Sequence, residues 1–195
     1  MKRSVVPMRE QVEDVRVYGL EESIKASKYP MAVDPEECSD ELTWGVVSRG
    51  RAPIGSAHDC YLKGITVQFD LTMSIKMSVE MERYHFIDFV SSQSTMHRIT
   101  KLDIDESCNE YVDQRAKDLV RQKVRYYNED PTPENYLRVL YNVPTGFCLT
   151  ARMTTNYLQL KTIYAQRHNH RLPEWRSFCE WMKELPMFME LTGIE

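Results

Sequence analysis

Nine residues from Ile65 to Met73 alternate without a fault: Ile65, Val67, Phe69, Leu71 and Met73 are apolar, and Thr66, Gln68, Asp70 and Thr72 between them are polar. Successive side chains of a strand point to opposite faces, so a period of two predicts a half-buried strand with one face against a core. The alternation runs on formally to Met81. A strand of that length would exceed the usual range of about 3 to 10 residues, so the pattern predicts a break between Ser74 and Ser78.

The rest of the chain reads mostly as helix. Tyr84, Phe86, Ile87, Phe89 and Val90 would cover nearly the whole circumference of a helix, and a helix apolar all round is normally buried. Glu80 and Glu82 would lie in its first turn, at the positive end of its dipole. A second amphipathic helix is predicted over 106–127, with Tyr111, Val112, Leu119, Val120, Val124 and Tyr127 on one side. Pro131 and Pro133 separate it from a short helix near 134–141. Pro173 suits the first turn of a last helix whose apolar face holds Trp175, Phe178, Cys179 and Met182. With no repeat and no low-complexity linker, this pattern predicts one α/β domain over residues 1–195.

Composition narrows the class. A chain of 195 residues that is 42% hydrophobic and 28% charged can bury one sizeable core. A net charge of -4 argues against a broad nucleic-acid surface, because such binding is mainly neutralisation of phosphates by clustered Lys and Arg. A local phosphate pocket remains compatible. The basic start Met1-Lys2-Arg3 meets Glu10, Glu13 and Asp14 before any apolar run, and no run of about 18 apolar residues follows. Neither secretion nor a membrane span is expected, and the reading is cytoplasmic. The five cysteines are odd in number and far apart, which suits reduced thiols and offers no paired metal-ligand spacing.

Two segments carry the chemistry. The apolar run ends in Ser91-Ser92-Gln93-Ser94-Thr95-Met96-His97-Arg98, a cluster of hydroxyl, amide, imidazole and guanidinium groups. It suits an anionic ligand, and equally a capped helix end whose side chains satisfy orphan backbone groups. Some sixty residues on, Asn156 and Arg167 stand eleven positions apart, close to three helical turns, with Leu160, Ile163 and Tyr164 as an apolar stripe between them. That spacing predicts that Asn156 and Arg167 share one helix face. His58-Asp59 reads either as an imidazole oriented by a carboxylate or as a turn with a local Asp hydrogen bond. His168 and His170 read as a solvated or ligand-facing loop ahead of a metal pair, since Arg167 and Arg171 flank them.

In these segments the chain resembles the flavin-dependent thymidylate synthases. That family has a signature of Arg-His-Arg, two variable residues, Ser, a variable residue, Asn, Glu, a variable residue, Ser, a variable residue, Arg and Tyr. Counted from His85, Ser94 falls on the second Ser and Gln93 on the position before it, which commonly bears an amide. A later family helix carries an Asn with an Arg eleven residues on and a Pro twelve residues upstream, and Asn156, Arg167 and Pro144 reproduce that spacing. The resemblance covers about residues 55–175.

It implies an α/β (α+β) fold with an antiparallel sheet core and several packed helices. It also implies a homotetramer, because family members build their sites from neighbouring subunits. The implied activity is transfer of a one-carbon unit from methylenetetrahydrofolate to C5 of deoxyuridylate with FAD. Ser94 would meet the phosphate of a pyrimidine deoxynucleotide monophosphate, with Gln93 beside it, and Arg167 would meet the nucleotide. Arg138 would match a further nucleotide-binding Arg if two residues are inserted before Pro144, and Arg98 would supply the signature's later Arg after a small shift. His85 and Asn156 would face the flavin, with His58 in a His-acid pair of the family.

The departures are as specific. Tyr84 and Phe86 stand in place of the two signature arginines, and Leu158 in place of the first Arg of the later helix. Losing guanidinium groups loses the bidentate pairing that holds a pyrophosphate. Two other readings therefore stand beside the first. One is a flavin-independent pyrimidine nucleotide hydroxymethylase or other base-modifying enzyme, and the other is a non-catalytic nucleotide-binding protein on the same scaffold.

Overall fold

The computed structural model describes residues 11–195, so the basic start Met1-Lys2-Arg3 lies outside the described residues. Four strands, β1 (Val12–Tyr18), β2 (Thr66–Ser74), β3 (Asp88–Ser92) and β4 (Cys148–Asn156), form one sheet in the order β1-β2-β4-β3 with every neighbour antiparallel. The predicted strand is β2. It pairs with β4 in unbroken register from Thr66 opposite Asn156 to Ser74 opposite Cys148.

The alternation divides the sheet into two faces. Val67, Phe69, Leu71 and Met73 of β2 join Ala151 and Met153 of β4 on the buried face. Against it lie α1 (Leu20–Ala26), α2 (Trp44–Gly50), α8 (Tyr157–Arg167), α9 (Pro173–Met182) and α10 (Phe188–Thr192), and together they form the main core. Phe69 packs on Phe178 and Trp181 at ring separations of 5.7 and 4.8 Å, in the range where aromatic pairs add to plain burial. The other face is half-exposed and polar. There Arg152 donates to the Asp14 carbonyl at 2.9 Å and meets Asp70 Oδ1 at 3.3 Å, and Thr72 and Thr150 share a 2.7 Å hydrogen bond across the strands.

The break after the strand falls where the pattern predicts. Ser74 ends β2 and caps α3 (Ile75–Met81), its hydroxyl accepting from the Met77 amide at 3.1 Å. Its own amide and hydroxyl donate to the buried Glu174 carboxylate at 2.8 Å each, so the turn is fixed from the N-terminus of α9.

The predicted buried helix after this point does not form. Glu80 closes α3 and does not open a helix, Glu82 is its C-cap, and the chain turns and runs back as the edge strand β3. Ile87 is buried, but Phe86 is 64% and Val90 58% exposed. The apolar residues in this stretch outnumber what one face can bury, and in a short strand they go to both faces. A helix and a strand cannot be separated by such a dense apolar run alone.

A second, smaller cluster holds Ile99, Ile104, Val120, Val139 and Phe147 beneath α4 (Thr95–Arg98), α5 (Ile104–Ser107), α6 (Gln114–Glu129) and α7 (Pro133–Leu140). The single helix predicted over 106–127 is two helices. Asp103 caps α5 through the amides of Asp105 and Glu106, and Asp113 caps α6 through that of Arg115, so α6 starts eight residues later than the periodicity suggested. α7 and α9 start at Pro133 and Pro173, within a residue of expectation. No helix among the described residues is long and apolar enough to cross a membrane.

Candidate functional site

The predicted site residues divide between one end of the β3–β4 ladder and the end of α8. At one end, Gln93 completes the ladder. Its amide N donates to the Thr150 carbonyl and its side-chain oxygen accepts from the Thr150 amide, both at 2.9 Å. Ser94 is the N-cap of α4, yet its hydroxyl makes no capping bond. Its carbonyl accepts from the His97 and Arg98 amides instead. The capped-end alternative is thus met by backbone geometry, and the Ser94 hydroxyl keeps its donor and acceptor. Arg98 is exposed at the end of α4, and its guanidinium has no hydrogen bond or ion pair among the described residues.

α7 stands over this rim, with the Tyr136 hydroxyl donating to the Met96 carbonyl at 2.8 Å. Arg138 lies on the exposed side of α7 in an i,i+4 pair with Glu134. Ser94, Gln93 and Arg98 therefore share one region, while Arg138, two residues on from Tyr136, lies on the other side of α7.

The C-terminal end of α8 is closed. Arg167 ends α8 with its side chain 16% exposed, and Glu80 beside it is 12% exposed. The guanidinium lies over the Trp175 ring at 4.8 Å and the Tyr84 ring at 5.6 Å. Its Nε donates to the Tyr84 hydroxyl at 2.7 Å and its Nη1 reaches Glu80 Oε2 at 3.5 Å. Glu80 also accepts from Lys76 Nζ at 2.9 Å and Trp175 Nε1 at 3.0 Å. The hydrogen bond from Lys76, then that from Trp175, hold its carboxyl below the usual range against the opposing cost of burial. His170 closes the ring, its Nδ1 accepting from the Leu172 amide while Nε2 stands 3.6 Å from Glu80 Oε2.

Several expectations change here. Asn156 and Arg167 do not share a helix face. Asn156 is the last residue of β4 and the N-cap of α8, its Oδ1 accepting from the Gln159 amide at 2.9 Å, and Arg167 is at the far end of that helix. His85 is exposed in the turn before β3. His58 is exposed and its neighbour does not orient it, because the buried Asp59 carboxylate pairs with Lys161 Nζ at 2.7 Å. Lys161 also donates to the carbonyls of Gly50 and Ala52, at 2.8 and 2.6 Å. Lys161 thus ties α8 to the end of α2 and to Asp59, and a buried pair so fully bonded leaves no carboxylate for a general base. His168 stacks on Tyr164 at 5.3 Å and His170 belongs to the Arg167 cluster.

Glu80, Tyr84 and Trp175 were not singled out from sequence as partners of Arg167. They come from three elements, and the only sequence signal was that Tyr84 stands where the resemblance expects a cation. A groove of about 1440 Å³ lies between the two hydrophobic clusters, lined among others by Lys76, Asn109, Tyr111, Lys117, Pro144 and Glu174, and none of the eight candidate ligand residues borders it. Cys148 at its edge is a poor nucleophile, its thiol pushed up to about 12 by burial. Among the described residues no three His, Cys, Asp or Glu side chains gather as a metal site.

The fold that carries these two regions, a mixed helical and antiparallel-sheet architecture, is that of the flavin-dependent thymidylate synthases. The chain superposes on the flavin-dependent thymidylate synthase ThyX of Helicobacter pylori complexed with FAD and dUMP, with TM-score 0.71, 14% identity, and coverage of 92% of this chain and 96% of that one. A second structure of that protein with FAD and dUMP gives 0.72 at 14% identity, covering 92% and 95%. The UMP/dUMP methylase PolB of Streptomyces cacaoi, bound with 5-Br dUMP, gives 0.60 at 14% identity, covering 93% and 92%. No protein-family model and no curated protein matches the sequence.

Proposed function

We propose that this chain binds a pyrimidine deoxynucleotide monophosphate and modifies it at C5, with deoxyuridylate as substrate and methylenetetrahydrofolate as the one-carbon donor. The observation that carries the reading is the match of fold over nine-tenths of the chain to proteins solved with dUMP or its 5-bromo analogue. The open rim supplies the phosphate end: the unspent Ser94 hydroxyl, the Gln93 amide and the Arg98 guanidinium, with Arg138 on the other side of the helix above. A charge-assisted hydrogen bond from Arg98 is worth about 1.5 to 3 kcal/mol.

Arg167 is bonded to Tyr84, Glu80 and His170 and touches none of Gln93, Ser94 and Arg98. The reading therefore joins Ser94 of one copy to Arg167 of another in a cytoplasmic homotetramer. β3 supports this, since an edge strand that bares Phe86, Phe89 and Val90 is normally covered by another chain.

FAD fits less well. Tyr84, Phe86 and Leu158 offer no guanidinium to a pyrophosphate, and the Tyr84 hydroxyl is already bonded to Arg167 and Gln166. Only exposed His85 and the capping amide of Asn156 remain on the flavin side. That observation favours the second reading, in which the same C5 chemistry proceeds with folate and without flavin.

A thermal scan tests the binding. Ligand at 100 times its dissociation constant adds about 2.7 kcal/mol, or roughly 5 to 10 °C for a chain of this size. If neither deoxyuridylate nor deoxycytidylate at millimolar concentration moves the melting temperature, the assignment fails. Release of tritium from C5-labelled nucleotide in the presence of methylenetetrahydrofolate separates an enzyme from a silent binder, and its dependence on added FAD separates the two enzymatic routes.

A further inference from the structure

We propose that Tyr84 is a gate on Arg167, its hydroxyl holding the guanidinium in a state that cannot grip a nucleotide at two points. The inference rests on the reading that Arg167 meets the nucleotide, and it adds what controls that contact. A guanidinium grips an oxyanion or a pyrimidine edge through two adjacent nitrogens, either Nε with Nη2 or Nη1 with Nη2. Here Nε is bonded to Tyr84, and Nη1 is bonded to His170 Nε2 at 2.9 Å and turned to Glu80. Nη2 has no hydrogen bond among the described residues. Each gripping edge has therefore lost one member.

The three ties are unequally divided, with Glu80 and His170 sharing Nη1 and Tyr84 alone on Nε. Tyr84 holds Nε at 2.7 Å, and its own hydroxyl proton is placed by donation to Gln166 Oε1 at 3.0 Å. Glu80 stands 3.5 Å off and shares its oxygen with Trp175. The Nε–Nη2 edge is thus the one that a single hydroxyl closes. Removing that hydroxyl leaves the guanidinium stacked on Trp175 and facing Glu80, so its position survives while its edge opens. The Tyr84 ring packs edge-on against Trp175 at 5.9 Å and would stay there as Phe.

Tyr84→Phe tests the gate in two independent ways. The first needs no nucleotide. Exchange of an arginine Nε–H with water reads that tie directly, and nitrogen-resolved NMR follows it at each arginine. The Arg167 Nε–H is expected to exchange at least threefold faster in the variant, on the order of one lost hydrogen bond, while that of Arg98 exchanges equally in both proteins. The second is calorimetric titration with deoxyuridylate, in which the variant is expected to bind about tenfold more tightly. Tyr84→Leu, which also removes the ring, should move both readouts in the same direction and carries the test if the first variant melts early. Equal Nε–H exchange at Arg167, or deoxyuridylate bound equally or more weakly by the variant, overturns the gate while leaving the functional reading in place. Faster exchange with no nucleotide bound by either protein overturns the functional reading and the gate with it.

Discussion

The open rim at Arg98 and the closed end of α8 at Arg167 hold cations in opposite ways. At the closed end, Arg167 is stacked on two rings and faces Glu80, whose carboxylate is shared with Lys76 and Trp175. At the open end, Arg98 is bare, and Arg138 on α7 has only a surface ion pair. One arginine is part of the packing and the other two are held only by solvent and a neighbour. The difference teaches that matching a family's arginine by spacing does not give it the family's availability, which is decided by what the departing residues put beside it.

Truncating Glu80→Ala is the strongest way to break this contrast. It leaves Arg167 without its counter-ion in a largely buried cluster, and such breaks cost about 3 to 5 kcal/mol when burial is complete. With slight exposure the expected loss is about 3 kcal/mol, read as a lower urea midpoint at unchanged slope. A loss below about 1 kcal/mol would put the closed end in the same class as the open one.

Arg98→Ala tests the other side. Stability should stay within about 0.5 kcal/mol, as for an exposed residue without partners. Deoxyuridylate affinity should fall about tenfold or more with the loss of a charge-assisted hydrogen bond, as measured by titration calorimetry. Unchanged affinity would remove Arg98 from the nucleotide.

Acid sharpens the comparison further. The Glu80 carboxyl is depressed in the folded state, chiefly by its bond from Lys76, so the folded protein binds that proton more weakly than the unfolded chain does. Its stabilising contribution is therefore complete above the ordinary value of 4.5 and is lost as pH falls below it through the folded value. Glu80→Gln should flatten the fall of stability in that window, and Arg98→Ala should leave it alone. The smallest effect is expected at Arg138→Ala, about 0.3 kcal/mol, since an exposed i,i+4 pair contributes little and is screened by salt. A larger change there would mean that α7 depends on this pair.

What the sequence could reveal follows the same division. β2 was readable because a half-buried strand prints its period directly, and α7 and α9 because proline marks a first turn. β3 was misread because its apolar residues outnumber one face, and the exposure of Phe86 and Val90 comes from a position at the sheet's edge that no local pattern encodes. α6 was drawn too long because the caps at Asp103 and Asp113 override a continuous apolar stripe. Ser94, Gln93 and Arg98 are neighbours in sequence and remained neighbours in space. The engagement of Arg167 depends on residues 83 and 87 positions distant, and the pairing of Asp59 with Lys161 on one 102 positions distant. Such partners are set by packing alone.

The strand order carries one further consequence, for the time course of synthesis. β4 is the strand that joins β2 to β3, and it is the last of the four to be made. Until residues 148–156 leave the ribosome, β2 has only β1 to pair with and β3 has no neighbour at all. While residues 93–147 are being made, the apolar face of β2 and the exposed Phe89 and Val90 of β3 must therefore wait uncovered, and closing pairs this distant in sequence is intrinsically slow. A nascent chain arrested before β4 exposes two adhesive strands to its neighbours on the same polysome. The fourth strand, and not the first three, commits the chain to its sheet.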